Sequence, residues 1–199
     1  MEKEVQSYGR GESGFTLIEL MITVAVLAIL LGIATADYGP VVNNNRLVAA
    51  VNQLQGELGF ARSSAASSSS SLTFCSSSDG ASCSGNTNWE SGWLIFTDAD
   101  GDRAVDSDDR IIKVNSGLEG VSMRRAGFSF PTGVIQFNSR GELMGNAATS
   151  GSFIFCGPDS DESVARGVVL QISGASRLMV DENSDNIVNN HAGGDVTCP

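Results

Sequence analysis

The chain has 199 residues, of which 41% are hydrophobic, so its length and composition fit one folded domain rather than a disordered chain. The formal net charge of −11 argues against unaided binding to nucleic acid, because an acidic surface repels phosphate groups. The only histidine, His191, lies in a Gly- and Asn-rich tail, and the sequence has no phosphate-binding loop. Nothing in the composition or the motifs predicts an enzyme.

An apolar run of 22 residues occupies positions 15–36, and Glu19 is its only ionisable residue. About 20 apolar residues are enough to cross a bilayer, and a charge inside such a helix costs roughly 2.5–3.5 kcal/mol. A secretory signal peptide ending at Ala34-Thr35-Ala36 is one interpretation, but residues 1–14 carry a net charge of −1 instead of a basic region. A plain single-pass anchor is another, and it leaves Glu19 unexplained.

The GFTLIE segment at residues 14–19 resembles the prepilin signature of type IV pilins and of the pseudopilins of type II secretion. The resemblance implies cleavage between Gly14 and Phe15 by prepilin peptidase, followed by N-methylation of Phe15. It also implies a single-pass chain in the bacterial inner membrane, with the globular part in the periplasm. The leader departs from the family pattern because it is not net basic, which leaves the orientation to Lys3 and Arg10.

The resemblance also gives Glu19 a role. After cleavage, Glu19 would lie one helical turn from the new amino group of Phe15, and a carboxylate near a helix N-terminus complements the helix dipole. In a filament of staggered helices, Glu19 would pair with the amine of a neighbouring subunit. We therefore expect an assembly role for Glu19, with other pilins as partners through the N-terminal helix.

The next segment predicts an amphipathic helix. Gly39-Pro40 should kink or interrupt the helix, because proline removes a backbone donor and clashes with the preceding turn. An apolar stripe at helical spacing follows, with Glu57 and other polar residues predicted on the remaining faces; the stripe comprises Leu47, Val51, Leu54, Leu58, Ala61 and Ala65. A helix packed on a sheet fits this stripe better than a coiled-coil dimer, for which it is barely long enough. The serine run at 67–71 ends the helix.

From Leu72 onward, short segments with a period near two alternate with Gly, Asn, Asp and Pro, which is typical of antiparallel β structure. The predicted strands are Leu72–Cys75, Gly92–Thr97, Arg110–Val114, Val121–Arg125, Val134–Asn138, Phe153–Cys156, Val168–Ile172 and Arg177–Val180. The pattern indicates an α+β fold. The resemblance implies the same fold as a pilin-like lollipop, in which a long N-terminal helix packs on the antiparallel strands.

The predicted divisions of the chain follow from these elements. They are a leader at 1–14, a transmembrane half-helix at 15–36, an amphipathic periplasmic half-helix at 37–66, and a β-rich globular domain with an acidic tail at 67–199.

A second resemblance lies in the globular part. The segment WESGWLIFTD at residues 89–98 is similar to the W-x-x-G-W-x-x-F-x-D segment of GspH/FimT-type proteins, which are H pseudopilins of type II secretion and related minor pilins of type IV pili. Trp89, Trp93 and Phe96 are predicted to be core residues rather than a binding site. The residues alone do not separate a type IV pilus from a type II secretion system.

The family resemblance implies a structural minor pilin or pseudopilin at the filament tip, where such subunits help to initiate assembly. The alternative is a DNA-uptake minor pilin that binds DNA at the tip. Without the leader's two basic and three acidic residues, the net charge is still −10, which argues against nucleic acid as a partner. The candidate arginines for that alternative are Arg124, Arg125, Arg140, Arg166 and Arg177.

Four cysteines, an even number in a chain that enters a membrane, predict an oxidising compartment and two disulfides. Three pairings are open from the sequence alone. We favour Cys75 with Cys83, which closes a small loop, and Cys156 with Cys198, which pins the acidic tail to the sheet.

The segment 98–109 contains six aspartates and is a candidate calcium loop. Five of them and one backbone carbonyl fall at the offsets used by an EF-hand-like loop; these positions are Asp98, Asp100, Asp102, Ala104, Asp106 and Asp109. Arg103 stands where such loops carry glycine, and Asp109 replaces the usual glutamate. The alternative interpretation of this segment is a solvated acidic turn. Calcium is the one cofactor for which the sequence offers a candidate site.

Overall fold

The computed structural model describes residues 14–34, 38–87, 89–128, 133–145 and 149–199. The chain divides into two compact units, one up to Tyr38 and the other from Gly39 to Pro199. The predicted leader, apart from Gly14, and the predicted boundary at residues 36 and 37 lie outside the described residues.

The first unit contains helix α1, Leu17–Ala34. Its large apolar side chains are all exposed, by 50–78%. Among the described residues, no helix combines the length and the hydropathy that are needed to cross a membrane.

The second unit begins with helix α2, Gly39–Ser68. Pro40 lies in its first turn, where the missing N–H costs nothing because the first amides of a helix have no intrahelical partner. The whole predicted apolar stripe of this helix is buried. The serine run ends the helix as predicted, and Ser69 follows it in a left-handed conformation with φ of 53°.

Within the described part of the chain, eight strands follow, one for each predicted segment, with bounds that differ by two residues or fewer. They are β1 Leu72–Ser76, β2 Trp93–Thr97, β3 Arg110–Asn115, β4 Ser122–Ala126, β5 Val134–Phe137, β6 Gly151–Cys156, β7 Arg166–Leu170 and β8 Ser176–Leu178. They form two four-stranded sheets: sheet 1 has the order β3-β2-β1-β5 and sheet 2 has the order β4-β6-β7-β8. All pairings are antiparallel. The predicted α+β fold, a long helix on antiparallel sheets, is confirmed.

One large core joins α2 to the inner faces of both sheets. The helix contributes its apolar stripe, and the central strands contribute aromatic residues such as Phe74 of β1 and Phe153 of β6. Because β1 and β6 are covered on both faces, every residue in them is buried.

Each sheet has a smaller second cluster on its outer face. On sheet 1, Cys75, Leu94 and Phe96 pack with Val105 of the acidic loop. On sheet 2, Ile154, Val169 and Met179 pack with residues of the C-terminal tail, including Val196. The strands are therefore sandwiched between α2 and these two covering segments.

Candidate functional site

The predicted assembly residues lie at the start of α1. Gly14 and Phe15 precede the helix, and the Phe15 side chain is 81% exposed. The backbone N–H of Glu19 donates to the Thr16 hydroxyl at 3.3 Å, so Thr16 caps the helix and Glu19 occupies the first turn. A carboxylate in this position interacts favourably with the positive end of the helix dipole.

The aromatic residues of the WESGWLIFTD segment are core residues, as predicted. Trp89, Trp93 and Phe96 are at most 1% exposed. The Trp89 ring packs between Phe74, with a centroid distance of 5.1 Å, and Phe153, at 5.2 Å. Since Phe74 belongs to sheet 1 and Phe153 to sheet 2, Trp89 joins the two sheets.

The acid at the end of this segment, Asp98, is fully buried and has three donors. Its Oδ2 accepts from the Thr73 hydroxyl at 2.5 Å and from the Gln136 amide at 2.6 Å, and its Oδ1 accepts from the Gly101 N–H at 2.9 Å. These bonds tie the acidic loop to β1 and β5. Asp98 is therefore a structural anchor, whatever else the loop binds.

Glu57 of α2 corrects one prediction. The sequence pattern places it on a polar face, but its side chain is buried, with 2% exposed. It accepts a short hydrogen bond from Trp93 Nε1 and another from the Gln53 amide at 3.3 Å, and it pairs with Lys113 Nζ at 3.2 Å. These partners compensate the cost of burying a carboxylate, and the arrangement fixes α2 against β2 and β3.

The candidate calcium loop is partly assembled. Ligand oxygens of Asp98, Asp100 and Asp102 lie within 4.8 Å of one another, whereas Asp106 and Asp109 are outside this group. Asp109 accepts instead from the N–H groups of Ala99, at 3.4 Å, and Asp106, at 3.3 Å, and burial raises its pKa. Ala104 donates its N–H to Asp102 at 2.7 Å.

The position at which EF-hand-like loops carry glycine has the backbone conformation that glycine favours. Arg103 has a φ of 70°, and its Nε donates to Gln136 at 3.2 Å. Carboxylate oxygens are the ligands that calcium takes, but both oxygens of Asp98 already accept hydrogen bonds within the chain. Calcium binding by this loop stays a prediction.

The structure joins Cys75 to Cys83, with 5.6 Å between the Cα atoms, and Cys156 to Cys198, with 5.8 Å. These are the two pairs that the sequence analysis favours. The first closes a loop beside sheet 1, and the second holds the C-terminal tail against sheet 2. His191 of this tail is also tied to sheet 2, since its N–H donates to the Ser152 hydroxyl at 2.8 Å.

The five candidate arginines for DNA binding have separate local contacts. Arg124 pairs with Glu90 at 2.8 Å, Arg140 with Glu142 at 2.8 Å, and Arg177 with Glu182 at 3.7 Å. Arg166 donates to the carbonyl of Ala165 at 2.9 Å.

The fifth arginine, Arg125, lies over the Phe128 ring at 5.5 Å, and burial lowers the pKa of its guanidinium. The structure thus distributes these five side chains over β4, β7, β8 and the segment after β5. Four of them belong to sheet 2, and Arg140 lies outside it.

Comparison with known protein families assigns the globular unit. The family described as type II transport protein GspH matches residues 50–175, which is more than half of the chain. The chain belongs to the GspH family. The prokaryotic N-terminal methylation motif matches residues 9–35 of this GspH-family chain and includes Gly14, Phe15 and Glu19. None of the curated proteins matches it.

Two crystal structures of the type IV minor pilin FimU of Pseudomonas aeruginosa share the fold of the GspH-family chain. The first has a TM-score of 0.52 and 19% identity, and the match covers 71% of this chain and 92% of FimU. The second, in another crystal form, has a TM-score of 0.51 and 19% identity, with coverage of 67% and 93%. Pilins and pseudopilins are structural proteins, so the chain is a minor pilin or pseudopilin and not an enzyme.

Proposed function

We propose that the chain is a minor subunit at the tip of a type IV pilus or a type II secretion pseudopilus, where it helps to initiate filament assembly. The observation that carries the proposal is the combination found in α1. Its large apolar side chains are all exposed, and its only acidic residue, Glu19, lies in the first turn. A helix of this kind needs apolar surroundings and an opposite charge from elsewhere, and neighbouring pilin helices in a membrane-derived filament supply both.

The proposal includes the origin of that opposite charge. Prepilin peptidase cleaves between Gly14 and Phe15 at the inner membrane, and the methylated amine of Phe15 in one subunit pairs with Glu19 of the next. The segment 15–36 anchors the subunit before assembly, and the globular unit faces the periplasm. The two disulfides support this location, because such bonds persist in oxidising compartments.

Mass spectrometry of the mature protein tests the processing step. We expect an N-terminus at Phe15, carrying a methyl group. An N-terminus at Asp37 would instead indicate a secreted protein whose signal peptide ends at Ala36.

The Glu19→Gln variant tests the assembly role, because it keeps the size of the side chain and removes its charge. We expect normal processing and membrane insertion but poor incorporation into filaments. Glu119→Gln removes an exposed carboxylate from the globular unit and is the matched control. Equal incorporation of both variants would contradict the role proposed for Glu19.

The alternative, DNA binding at the tip, has weaker support. The net charge is −11, and the candidate arginines are engaged with carboxylates, carbonyl groups or an aromatic ring. Gel-shift assays at physiological salt should therefore show little affinity for duplex DNA. Tight and salt-sensitive binding would reverse the order of the two proposals.

Genes for pilus biogenesis or for a secretion system beside this gene would separate the two filament types.

A further inference from the structure

A groove of about 380 Å³ lies along the C-terminal half of α2. Its small lining residues are Gly59, Ser63 and Ala66 on the helix, Gly174 and Ala175 in the turn between β7 and β8, and Ser176 at the start of β8. Two arginines, Arg62 and Arg140, are its only charged lining residues. The groove thus combines residues with little or no side chain and two guanidinium groups.

The aliphatic stem of the Arg62 side chain packs against two turns, one at Gly141 and one at Gly174. A Cβ atom on Gly141 would lie 2.8 Å from Arg62 Cγ, and a Cβ atom on Gly174 would lie 3.3 Å from Arg62 Cδ. Both glycines have left-handed backbone, with φ of 75° and 76°. The Cγ and Cδ atoms of Arg62 therefore pack against these two turns, while the residue as a whole stays exposed. Contacts along the stem reduce the number of side-chain conformations that binding must fix, which lowers its entropic cost.

The charge of Arg62 is not balanced locally. Arg140 donates through Nε to Glu142 at 2.9 Å, and its Nη2 forms an ion pair with the same carboxylate at 2.8 Å, so these two charges largely cancel. Among the described residues, the Arg62 side chain makes no hydrogen bond or ion pair. An arginine held by its stem with no acceptor is an open site for a carboxylate, which matches the planar guanidinium with two parallel hydrogen bonds.

Gly59 supplies a second and independent observation. A Cβ atom at Gly59 would meet nothing within 4 Å, so no contact with the described residues requires glycine there. Glycine in a helix interior is destabilising by about 0.5–1 kcal/mol relative to alanine. Glycine at position 59 therefore lowers the stability of the helix, and the missing side chain leaves space for another backbone to approach closely.

We propose that this groove binds a carboxylate-bearing segment of a partner polypeptide, with Arg62 as the group that holds the carboxylate. A peptide fits better than a nucleic acid, because the groove offers one unbalanced charge on a chain with a net charge of −11, whereas a polyanion needs several phosphate contacts. The identification of the partner as a neighbouring pilin subunit rests on the proposed function. The binding chemistry does not.

The test uses the isotopically labelled full chain in detergent and the peptide acetyl-Gly-Ala-Glu-Ala-Gly-amide, with glutamine in place of glutamate as the control peptide. We expect saturable changes in the NMR amide signals of Gly59 and Gly174 with the glutamate peptide only. Arg62→Gln should weaken this binding about tenfold, as expected for one lost hydrogen bond to a charged group. Arg110→Gln removes an exposed arginine outside the groove and should leave the affinity unchanged.

Two further variants separate binding from folding. Arg62→Lys keeps the charge and an aliphatic stem but loses the planar fork, so it should bind with intermediate affinity. Gly59→Ala and Gly56→Ala should both raise the melting temperature, since Gly56 also has nothing within 4 Å. Only Gly59→Ala should weaken peptide binding, because Gly56 does not line the groove.

Several outcomes would overturn the proposal: equal signal changes with the two peptides, no binding at all, or an affinity that Arg62→Gln leaves unchanged. Signal changes at Gly59 and Gly174 with a short DNA duplex that exceed those with the peptide would show a nucleic-acid site instead. All of these measurements use purified protein and do not depend on filament assembly. Their failure is therefore distinguishable from failure of the Glu19 experiment.

Discussion

A disulfide-closed segment lies against the outer cluster of each sheet, but the two disulfides join cysteines at very different separations in the sequence. On sheet 1, the Cys75–Cys83 bond closes a sequence separation of 8 residues. On sheet 2, the Cys156–Cys198 bond closes a separation of 42 residues and holds the last part of the chain. The first segment is local structure with a disulfide added, whereas the second is linked covalently to a strand that is distant in the sequence.

Both segments nevertheless use the same local device, an aspartate that accepts several backbone N–H groups. Asp79 accepts from Ala81 at 2.8 Å and from Ser82 at 2.9 Å. Asp181 accepts from four consecutive residues of the tail, with Ser184 at 2.6 Å and Asn186 at 2.8 Å. The comparison suggests that the turns form locally in both segments, and that only the tail needs a distant covalent link to stay on its sheet.

The largest expected effect is removal of the long link. Replacing Cys156 and Cys198 by serine should lower the free energy of unfolding by roughly 4 kcal/mol, as estimated from loop-closure entropy. It should also release the tail from the cluster around Val169 and Met179. Denaturant unfolding measures the loss, and hydrogen exchange should show faster exchange over 181–199. Unchanged protection of the tail would mean that its noncovalent contacts are sufficient.

Removal of the short link should cost less. Replacing Cys75 and Cys83 by serine is expected to lower the free energy of unfolding by roughly 2.5 kcal/mol on the same estimate. The turn around Asp79 should keep its hydrogen bonds, so protection of the Ala81 and Ser82 amides should fall only with global stability. A loss equal to that of the long link would contradict the proposed difference between the segments.

Calcium should act on sheet 1 alone, because Val105 of the acidic loop packs in its outer cluster. With an affinity near 1 mM, as in extracellular modules, about 10 mM calcium should add about 1.4 kcal/mol to the free energy of unfolding. Thermal melts and calorimetry on the full chain measure this effect. The double variant Asp100→Asn/Asp102→Asn should not respond. If the unmodified chain neither releases heat nor melts higher than in chelator, the loop is only a turn.

Acid should weaken both segments slightly. The N–H groups of Ala81 and Ser82 and the hydroxyl of Ser82 hold the pKa of Asp79 well below its ordinary value of 3.8. At Asp181, burial acts to raise the pKa, but hydrogen bonds from Asn186, Ser184 and their neighbours lower it overall. Because the folded-state pKa is lowered, the stabilisation is present above the unfolded-state value and is lost as the pH falls through the folded-state value.

Melting temperatures measured below pH 4 test this expectation. Asp79→Asn and Asp181→Asn should each show a smaller loss on acidification than the unmodified chain. Asp108→Asn, an exposed aspartate outside both segments, is the control. An acid response that is the same in all four proteins would exclude these two carboxylates as its source.

Local features of this protein were readable from its sequence because they depend on neighbours within a few positions. The stripe from Leu47 to Ala65 follows the period of a helix, and the β segments follow the period of a strand. Gly14, Phe15 and Glu19 lie in one continuous signature of six residues. The burial of Trp89, Trp93 and Phe96 was predicted from the short segment that contains them. The choice of Cys83 for Cys75 also follows from short separation in the chain.

Apart from the Cys156–Cys198 pair, which the sequence analysis favours, only the tertiary structure decided which distant residues meet. Periodicity does not say that β1 and β6 are the central strands of two separate sheets, because strand order depends on pairings between remote segments. For the same reason the pattern misplaced Glu57, whose partner Trp93 lies 36 residues away, and could not foresee that Asp98 is bound by Thr73 and Gln136. The groove beside Arg62 has the same origin, since two turns remote in sequence hold its stem.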